Sequence, residues 1–199
     1  MKGMFNFVIE PFEGRYDNKK SIDGSELILN TELHNHNYVS RIGVVKYVSL
    51  DNPNNISEGD KVVVHHNVFR RFRDIRGVEK NSKSYHEENT YFVHPDQIFA
   101  FNKGEKWEAC KGFNFVKPVK ETKMFSTDFE KPLIGVIKTV DPELTNVQEE
   151  DLVGFKPGSE YEFIIDNQKY YRVPTNSITI KYERQGNEEE YNPSWTKSS

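Results

Sequence analysis

The feature that most constrains the fold of this chain is an internal repeat. Four segments of the first half recur in the same order in the second half. The matching pairs are KGMFNFVIEP at 2–11 with KGFNFVKP at 111–118, IGVVKYV at 42–48 with IGVIKTV at 134–140, EGDKVVV at 58–64 with EEDLVGF at 149–155, and YFVHPDQIFAF at 91–101 with YRVPTNSITIK at 171–181. Four matches in one order predict two copies of one domain. The first copy spans 1–104, the second 105–183, and a polar tail follows at 184–199.

The spacing of the matches shows where the copies differ. Phe5 and Phe113 are 108 positions apart, whereas Ile42 and Ile134 are 92 apart, so the second copy lacks 16 residues there. The missing part corresponds to DGSELILNTELHNHNY at 23–38. A segment that one copy omits is not required by the shared core. The apolar triplet Leu27-Ile28-Leu29 is therefore a candidate for binding a partner, with an ordinary edge strand as the alternative.

The local pattern predicts an all-β fold. The matched segments are rich in β-branched and aromatic residues and are bounded by Gly, Asp, Asn and Pro. No segment keeps an apolar period of 3.6 residues over three turns. IIDNQKYY at 164–171 predicts a hairpin that turns at Asp166-Asn167. Several short strands in each copy predict two small β-barrels in tandem.

Composition and charge exclude several classes of function. The net charge of −4 and the pI of about 5.9 disfavour nucleic acid as the main partner. No apolar run approaches the roughly 20 residues of a membrane span, and the first residues lack the apolar stretch of a signal peptide. Cys110 is the single cysteine, which suits a cytoplasmic protein and leaves no internal disulfide. We expect this thiol to be structural rather than nucleophilic.

Two further patterns have a structural and a functional interpretation. His34 and His36 have the spacing of a weak metal pair, but no Cys or carboxylate cluster completes a site, so we expect no metal. The run VFRRFRDIRGVEK at 68–80 interleaves arginines with phenylalanines, a pattern also found in nucleic-acid patches. The simpler interpretation is a solvated hairpin.

Taken together, the segments resemble GroES-type co-chaperonins. That family has a first strand, a long loop carrying an apolar triplet after glycines, a G-x-V-x-x-V strand, a V-x-x-G-D-x-V-x-F turn and a closing strand after a tyrosine. The first copy matches these with FNFVIEP, with Leu27-Ile28-Leu29 after Gly24 and Ser25, and with the set Gly43, Val44, Val45, Lys46, Tyr47, Val48, Ile56, Gly59, Asp60, Val62, Val64, Tyr91, Gln97, Ile98, Phe99 and Ala100. The second copy matches with Gly135, Asp151, Val153, Asp166, Tyr171, Ile178 and Ile180.

The chain also departs from the family pattern. The usual Arg-Pro-Leu opening is absent, the double glycine before the triplet is reduced to Gly24, and Glu150 stands where the second turn should have glycine. The second copy has no counterpart of the apolar loop. The plastid members of the family are also tandem, but they carry the loop in both copies.

The resemblance implies two tandem GroES-like barrels and a mobile loop at about 16–40. Leu27, Ile28 and Leu29 would bind the apical domain of a GroEL-type chaperonin, flanked by Gly24, Ser25 and Glu26. The protein would form a ring that caps the chaperonin in the cytoplasm, that of the host if it is phage-encoded. It would use no cofactor and have no active site, because the partner hydrolyses ATP. The 68–80 run would be the roof hairpin.

Two other functions compete with this interpretation. A tandem β-barrel could serve as a structural or assembly protein that uses the loop as an interaction arm. An enzyme related to the alcohol dehydrogenases would need a Cys/His zinc site and a glycine-rich dinucleotide-binding segment, and the sequence has neither.

Overall fold

The fold is described from a computed structural model of the chain. It describes residues 3–16, 19–22, 25–28, 39–121, 129–184, 186 and 188–198, with the backbone alone at 19–22, 25–28 and 197–198. These residues form two compact units, Met1–Lys106 and Trp107–Ser199. The boundary falls two residues after the one placed from the sequence.

The prediction of an all-β fold is confirmed. The first unit contains β1 (Phe7–Pro11), β2 (Lys19–Ile22), β3 (Ser25–Ile28), β4 (Ile42–Tyr47), β5 (Lys61–Val64), β6 (Arg71–Arg73), β7 (Glu79–Asn81), β8 (Tyr85–Glu87), β9 (Thr90–Val93), the 3₁₀ turn Pro95–Gln97 and β10 (Ile98–Asn102). The second contains β11 (Trp107–Ala109), β12 (Phe113–Lys120), β13 (Glu130–Thr139), β14 (Leu152–Phe155), β15 (Tyr161–Ile165), β16 (Gln168–Pro174), the 3₁₀ turn Thr175–Ser177, β17 (Ile178–Tyr182) and the 3₁₀ turn Ser194–Ser198. Within the described ranges, no helix has the length and apolar character needed to cross a membrane.

The two units share one strand order. The main sheet of the first unit contains the antiparallel succession β8-β9-β1-β4-β5-β10, and that of the second unit is β15-β16-β12-β13-β14-β17. Each strand of one succession has its counterpart at the same place in the other. In neither unit do the described strands pair in an order that returns to the first strand, so hydrogen bonding alone does not close either sheet into a barrel.

The register of the first two matched strands corrects the alignment made from the sequence. Pro11 pairs with Gly43 and Pro118 with Gly135, and each ladder is interrupted by a bulge two residues before the proline. Ile9 is therefore the counterpart of Val116, although the letters FNFV align Val8 there. The second unit lacks 15 residues between these strands rather than 16, because hydrogen bonding, not letter identity, sets the register.

A close backbone approach is repeated at Gly43 and Gly135. A Cβ on Gly43 would lie 2.4 Å from Ile9 Cγ2 and 3.0 Å from the Glu10 carbonyl oxygen. A Cβ on Gly135 would lie 2.5 Å from both Val116 Cγ1 and the Lys117 carbonyl oxygen. These neighbours are equivalent in the two units. Glycine is needed at both positions because the paired strand leaves no space for a side chain.

The turn before the third matched strand is also repeated. In each unit an aspartate side chain accepts the amide three residues earlier, Ser57 N to Asp60 Oδ2 at 2.7 Å and Gln148 N to Asp151 Oδ2 at 2.8 Å. The residue before the aspartate has a positive φ, 90° at Gly59 and 70° at Glu150. The aspartates are turn residues, as expected from the sequence. The second unit accepts a strained glutamate where the first has glycine.

Burial indicates that both faces of the sheets are covered. All four residues of β14 are buried, and so are Val62, Val63 and Val64 of β5. A sheet with one face in water would alternate instead. The predicted hairpin at Asp166-Asn167 is confirmed, with both residues at positive φ as a two-residue turn requires.

The polar, charged composition of the tail at 184–199 predicts a mobile segment, but its described residues pack on the second unit. Lys120 N donates to the Glu189 carbonyl and Tyr191 N to the Pro118 carbonyl, both at 2.8 Å. Glu190 lies 2.5 Å from Lys138 Nζ and 2.9 Å from Lys117 Nζ. Burial alone would raise the pKa of Glu190, but these two lysines hold it below its ordinary value. Backbone pairing and charge therefore fix a segment that hydrophobicity alone would leave free.

The close approach at Gly135 generates a stability prediction. Gly135→Ala should lower the free energy of unfolding by about 1–3 kcal/mol, because the new Cβ meets backbone that cannot retreat. Gly154→Ala is the matched control in the same unit. Its nearest contact, at 3.1 Å, is the ring of Tyr182, whose partly exposed side chain can turn away. Urea unfolding followed by fluorescence measures the stability of both variants. Equal losses of unfolding free energy would show that the close contact at Gly135 does not constrain the sheet.

Candidate partner-binding loop

The apolar segment of the first unit forms a hairpin of its own. β3 pairs with β2 in the register Lys19↔Ile28, Lys20↔Leu27, Ser21↔Glu26 and Ile22↔Ser25. Of the predicted binding residues, Leu27 and Ile28 lie in β3, with Ser25 and Glu26 of the predicted flank. Leu29 and Gly24 lie outside the described residues, as do His34 and His36.

The hairpin is separate from the main sheet. Among the described strands, β2 and β3 pair with each other alone and form a two-stranded sheet. Leu27 and Ile28 therefore lie in an edge strand, as the alternative interpretation expects, but that strand does not join the main sheet. Gly24 was expected only as part of the loop flank, with Ser25 and Glu26. Asp-Gly between two short polar-apolar segments is a strong hairpin signal, and it was present in the sequence to be used.

The segment leaves and re-enters the unit at one narrow base. Tyr16 and Val39 form an antiparallel bridge, and Ser40 N donates to the Arg15 carbonyl at 2.9 Å. Val39 is 3% exposed. Its burial makes Val39 an anchor of the loop base. The two ends of the loop are thus held together while the hairpin lies beyond them.

Arg15 holds the base of the loop through contacts with two tyrosine rings. Its guanidinium carbon lies 5.3 Å from the ring centre of Tyr85 and 5.5 Å from that of Tyr91, and its Nε donates to the Phe69 carbonyl at 3.1 Å. Tyr91 is fully buried and packs edge-on against Phe69 at 4.8 Å. Burial lowers the pKa of Arg15 and raises the pKa of Tyr91 to about 12. The cation–π contacts hold the buried charge in place.

A hydrogen bond connects the loop base to a second insertion. The Tyr16 hydroxyl accepts the backbone N–H of Arg71 at 2.7 Å. Arg71 opens β6, which pairs with β7 in another separate two-stranded sheet. Arg15 and Tyr16 therefore tie together two segments that the second unit lacks. Neither contact was predicted, because residues 54 and 55 positions apart carry no local sequence signal.

Two features of the described residues bear on metal binding and on thiol chemistry. They contain no cluster of three or more His, Cys, Asp or Glu residues placed to hold a metal ion. Cys110 is buried, and burial raises the pKa of its thiol to about 12, which keeps it protonated and unreactive at neutral pH.

Comparison with known proteins gave no match of the sequence to any family model and no similar curated protein.

The Tyr16 contact generates a testable prediction. Tyr16→Phe removes the acceptor of the Arg71 amide, so this amide should exchange with solvent faster and the free energy of unfolding should fall by about 1 kcal/mol. Amide exchange followed by NMR measures the first effect and urea unfolding the second. Tyr85→Phe is the matched control, because it keeps the ring that Arg15 contacts. Unchanged protection of the Arg71 amide in Tyr16→Phe would show that the hydroxyl does not connect the two segments.

Proposed function

We propose that the protein is a co-chaperonin whose loop docks on the apical domains of a GroEL-type chaperonin. The observation that carries the proposal is the separate hairpin β2–β3, which contains Leu27 and Ile28 and has no equivalent in the strand order of the second unit. Among the described strands this hairpin pairs with no other, so it can enter a groove on a partner without disturbing the main sheet. The motifs that resemble those of the GroES family support this class of partner.

The energetics favour weak binding by each loop. Burying Leu27, Ile28 and Leu29 would contribute about 1.5–3 kcal/mol each, or roughly 4–9 kcal/mol in total. Ordering a flexible segment costs about 1–2 kcal/mol per residue. Pairing of β3 with β2 already restricts part of the backbone and reduces that cost. The net contribution of one loop is small, which suits reversible capping.

Several loops acting together would bind tightly through multivalency. The proposal therefore includes a homo-oligomeric ring of chains and, in each unit, a sheet that curls into the small barrel of the family. The common strand order and the covered faces of β5 and β14 support the curled sheet. A ring that uses both units of every chain contains an even number of units. A ring of seven positions would require one unit of each chain to lie outside it.

The role of the chain in this proposal is that of a lid. It closes the cavity in the cytoplasm, the client folds inside, and ATP hydrolysis by the chaperonin switches all loops on or off together. The lid itself supplies no active site and no cofactor, and the inert thiol of Cys110 is consistent with that role.

Replacing the triplet tests the proposal. Leu27, Ile28 and Leu29 changed together to Ser should abolish capture by a chaperonin in ATP or ADP, because the apolar contact is lost. Met4, Phe5 and Leu50 changed together to Ser provide the control, because these side chains are 64%, 67% and 63% exposed and lie outside the loop. The control should still be captured. Capture of the loop variant at the wild-type level would overturn the mechanism.

The same experiment separates the competing structural role. A tandem assembly protein would be captured by no chaperonin in either nucleotide and would purify with particles instead.

A further inference from the structure

The segment 70–83, called here the arginine hairpin, is an insertion that the shared fold does not require. In the first unit β5 ends at Val64 and β8 begins at Tyr85, and β6 and β7 lie between them. In the second unit β14 ends at Phe155 and β15 begins at Tyr161. The equivalent strands of the main sheet are thus connected directly in one unit and through an added hairpin in the other.

The arginine hairpin is held in one conformation. Phe72 pairs with Lys80 and Arg73 with Glu79, and the turn is closed by Asp74 Oδ1, which accepts the amides of Arg76 at 2.9 Å and Val78 at 3.0 Å. At the base, Ser82 Oγ donates to the carbonyl of the fully buried Val68 at 2.6 Å. A preorganised surface loses little conformational entropy when a partner binds.

Positive charge is concentrated on this hairpin. It contains six cationic side chains and two carboxylates, a net charge of +4, whereas the whole chain carries −4 and the remainder therefore −8. Both carboxylates are already engaged, Glu79 with Arg71 at 3.1 Å and Asp74 in the turn. In the described part of the chain, no carboxylate lies within ion-pair distance of the four cations Arg73, Arg76, Lys80 and Lys83.

Apolar side chains are exposed among these charges. Ile75 at the tip is fully exposed at 104%, Val78 is 50% exposed and Phe72 is 41% exposed. Core packing therefore does not explain the choice of these residues. These exposed apolar side chains are available for contact with a partner.

We propose that the arginine hairpin binds an acidic polypeptide segment that also carries apolar side chains. The four unpaired cations would pair with its carboxylates, and Ile75, Val78 and Phe72 would contact its apolar residues. This site goes beyond the proposed chaperonin-binding loop and does not depend on it. If the protein is a lid, the segment belongs to a client or to another component of the assembly.

A polypeptide fits this surface better than a nucleic acid does. Phe72 is the one aromatic ring among the exposed apolar side chains of the hairpin, whereas single-stranded nucleic acids stack on several. A three-residue strand spans only about 10 Å, which matches a short peptide segment.

Fluorescence anisotropy with a labelled peptide tests the proposal. The probe is a twelve-residue peptide of alternating Glu and Leu, added to the full chain without chaperonin. Arg73, Arg76 and Lys80 changed together to Gln should weaken binding about tenfold, since each lost pair contributes only a few tenths to one kcal/mol. Ile75→Ser should weaken it about threefold through loss of apolar contact. Binding of the wild type should also weaken as salt rises.

A matched variant controls for net charge. Lys46, Lys103 and Lys131 changed together to Gln remove the same charge outside the hairpin and should leave peptide binding unchanged. Equal losses in both triple variants would overturn the site, as would absence of peptide binding to the wild type. Tighter binding of a twelve-residue oligothymidylate than of the peptide would identify a nucleic-acid surface and overturn the proposed partner. The hairpin variant should still be captured by a chaperonin, which keeps this test separate from that of the loop.

Discussion

In both units the main sheet depends on one close contact between its first two strands, β1 with β4 and β12 with β13. Gly43 and Gly135 occupy this point because a Cβ would lie within 2.5 Å of the facing strand. This contact fixes the register of β1 with β4 and of β12 with β13. The next strands follow in the same order in each unit. Because the glycine contact sets the register, the connection between the two paired strands can lengthen without disturbing the sheet. This freedom explains how the first unit accommodates the hairpin β2–β3 between β1 and β4.

The differences between the units are therefore the best guide to function. The first unit adds β2–β3 and β6–β7, and each pair forms a small sheet separate from the main one. Arg15 and Tyr16 bind both insertions to the same part of the core, through Phe69 and the amide of Arg71. The second unit instead binds its own tail, where Glu190 meets Lys117 and Lys138. The described insertions thus belong to the first unit, whereas the tail packs on the second.

Much of the fold could be predicted from the sequence, because repeats and β-rich segments report on local and repeated constraints. The all-β class and the Asp166-Asn167 hairpin were found in this way. The one-residue shift of the alignment at Val8 could not be predicted. Matching identical residues ignores a β-bulge that is visible only in the pairing of β1 with β4. The pairing of the tail and the Tyr16 contact with Arg71 were also missed, since both join residues far apart in sequence. The apolar triplet was recognised, but its hairpin was missed because Asp23-Gly24 was not used as a turn signal.

Hydrogen–deuterium exchange of the full chain, with and without a chaperonin and ATP, tests the central claim most directly. That claim places the binding surface in an insertion rather than in the shared sheets. Binding should slow exchange in peptides that cover Lys19–Ile28 and leave peptides of the second unit unchanged. Protection that spreads over β12–β17 while Lys19–Ile28 exchanges as before would contradict it.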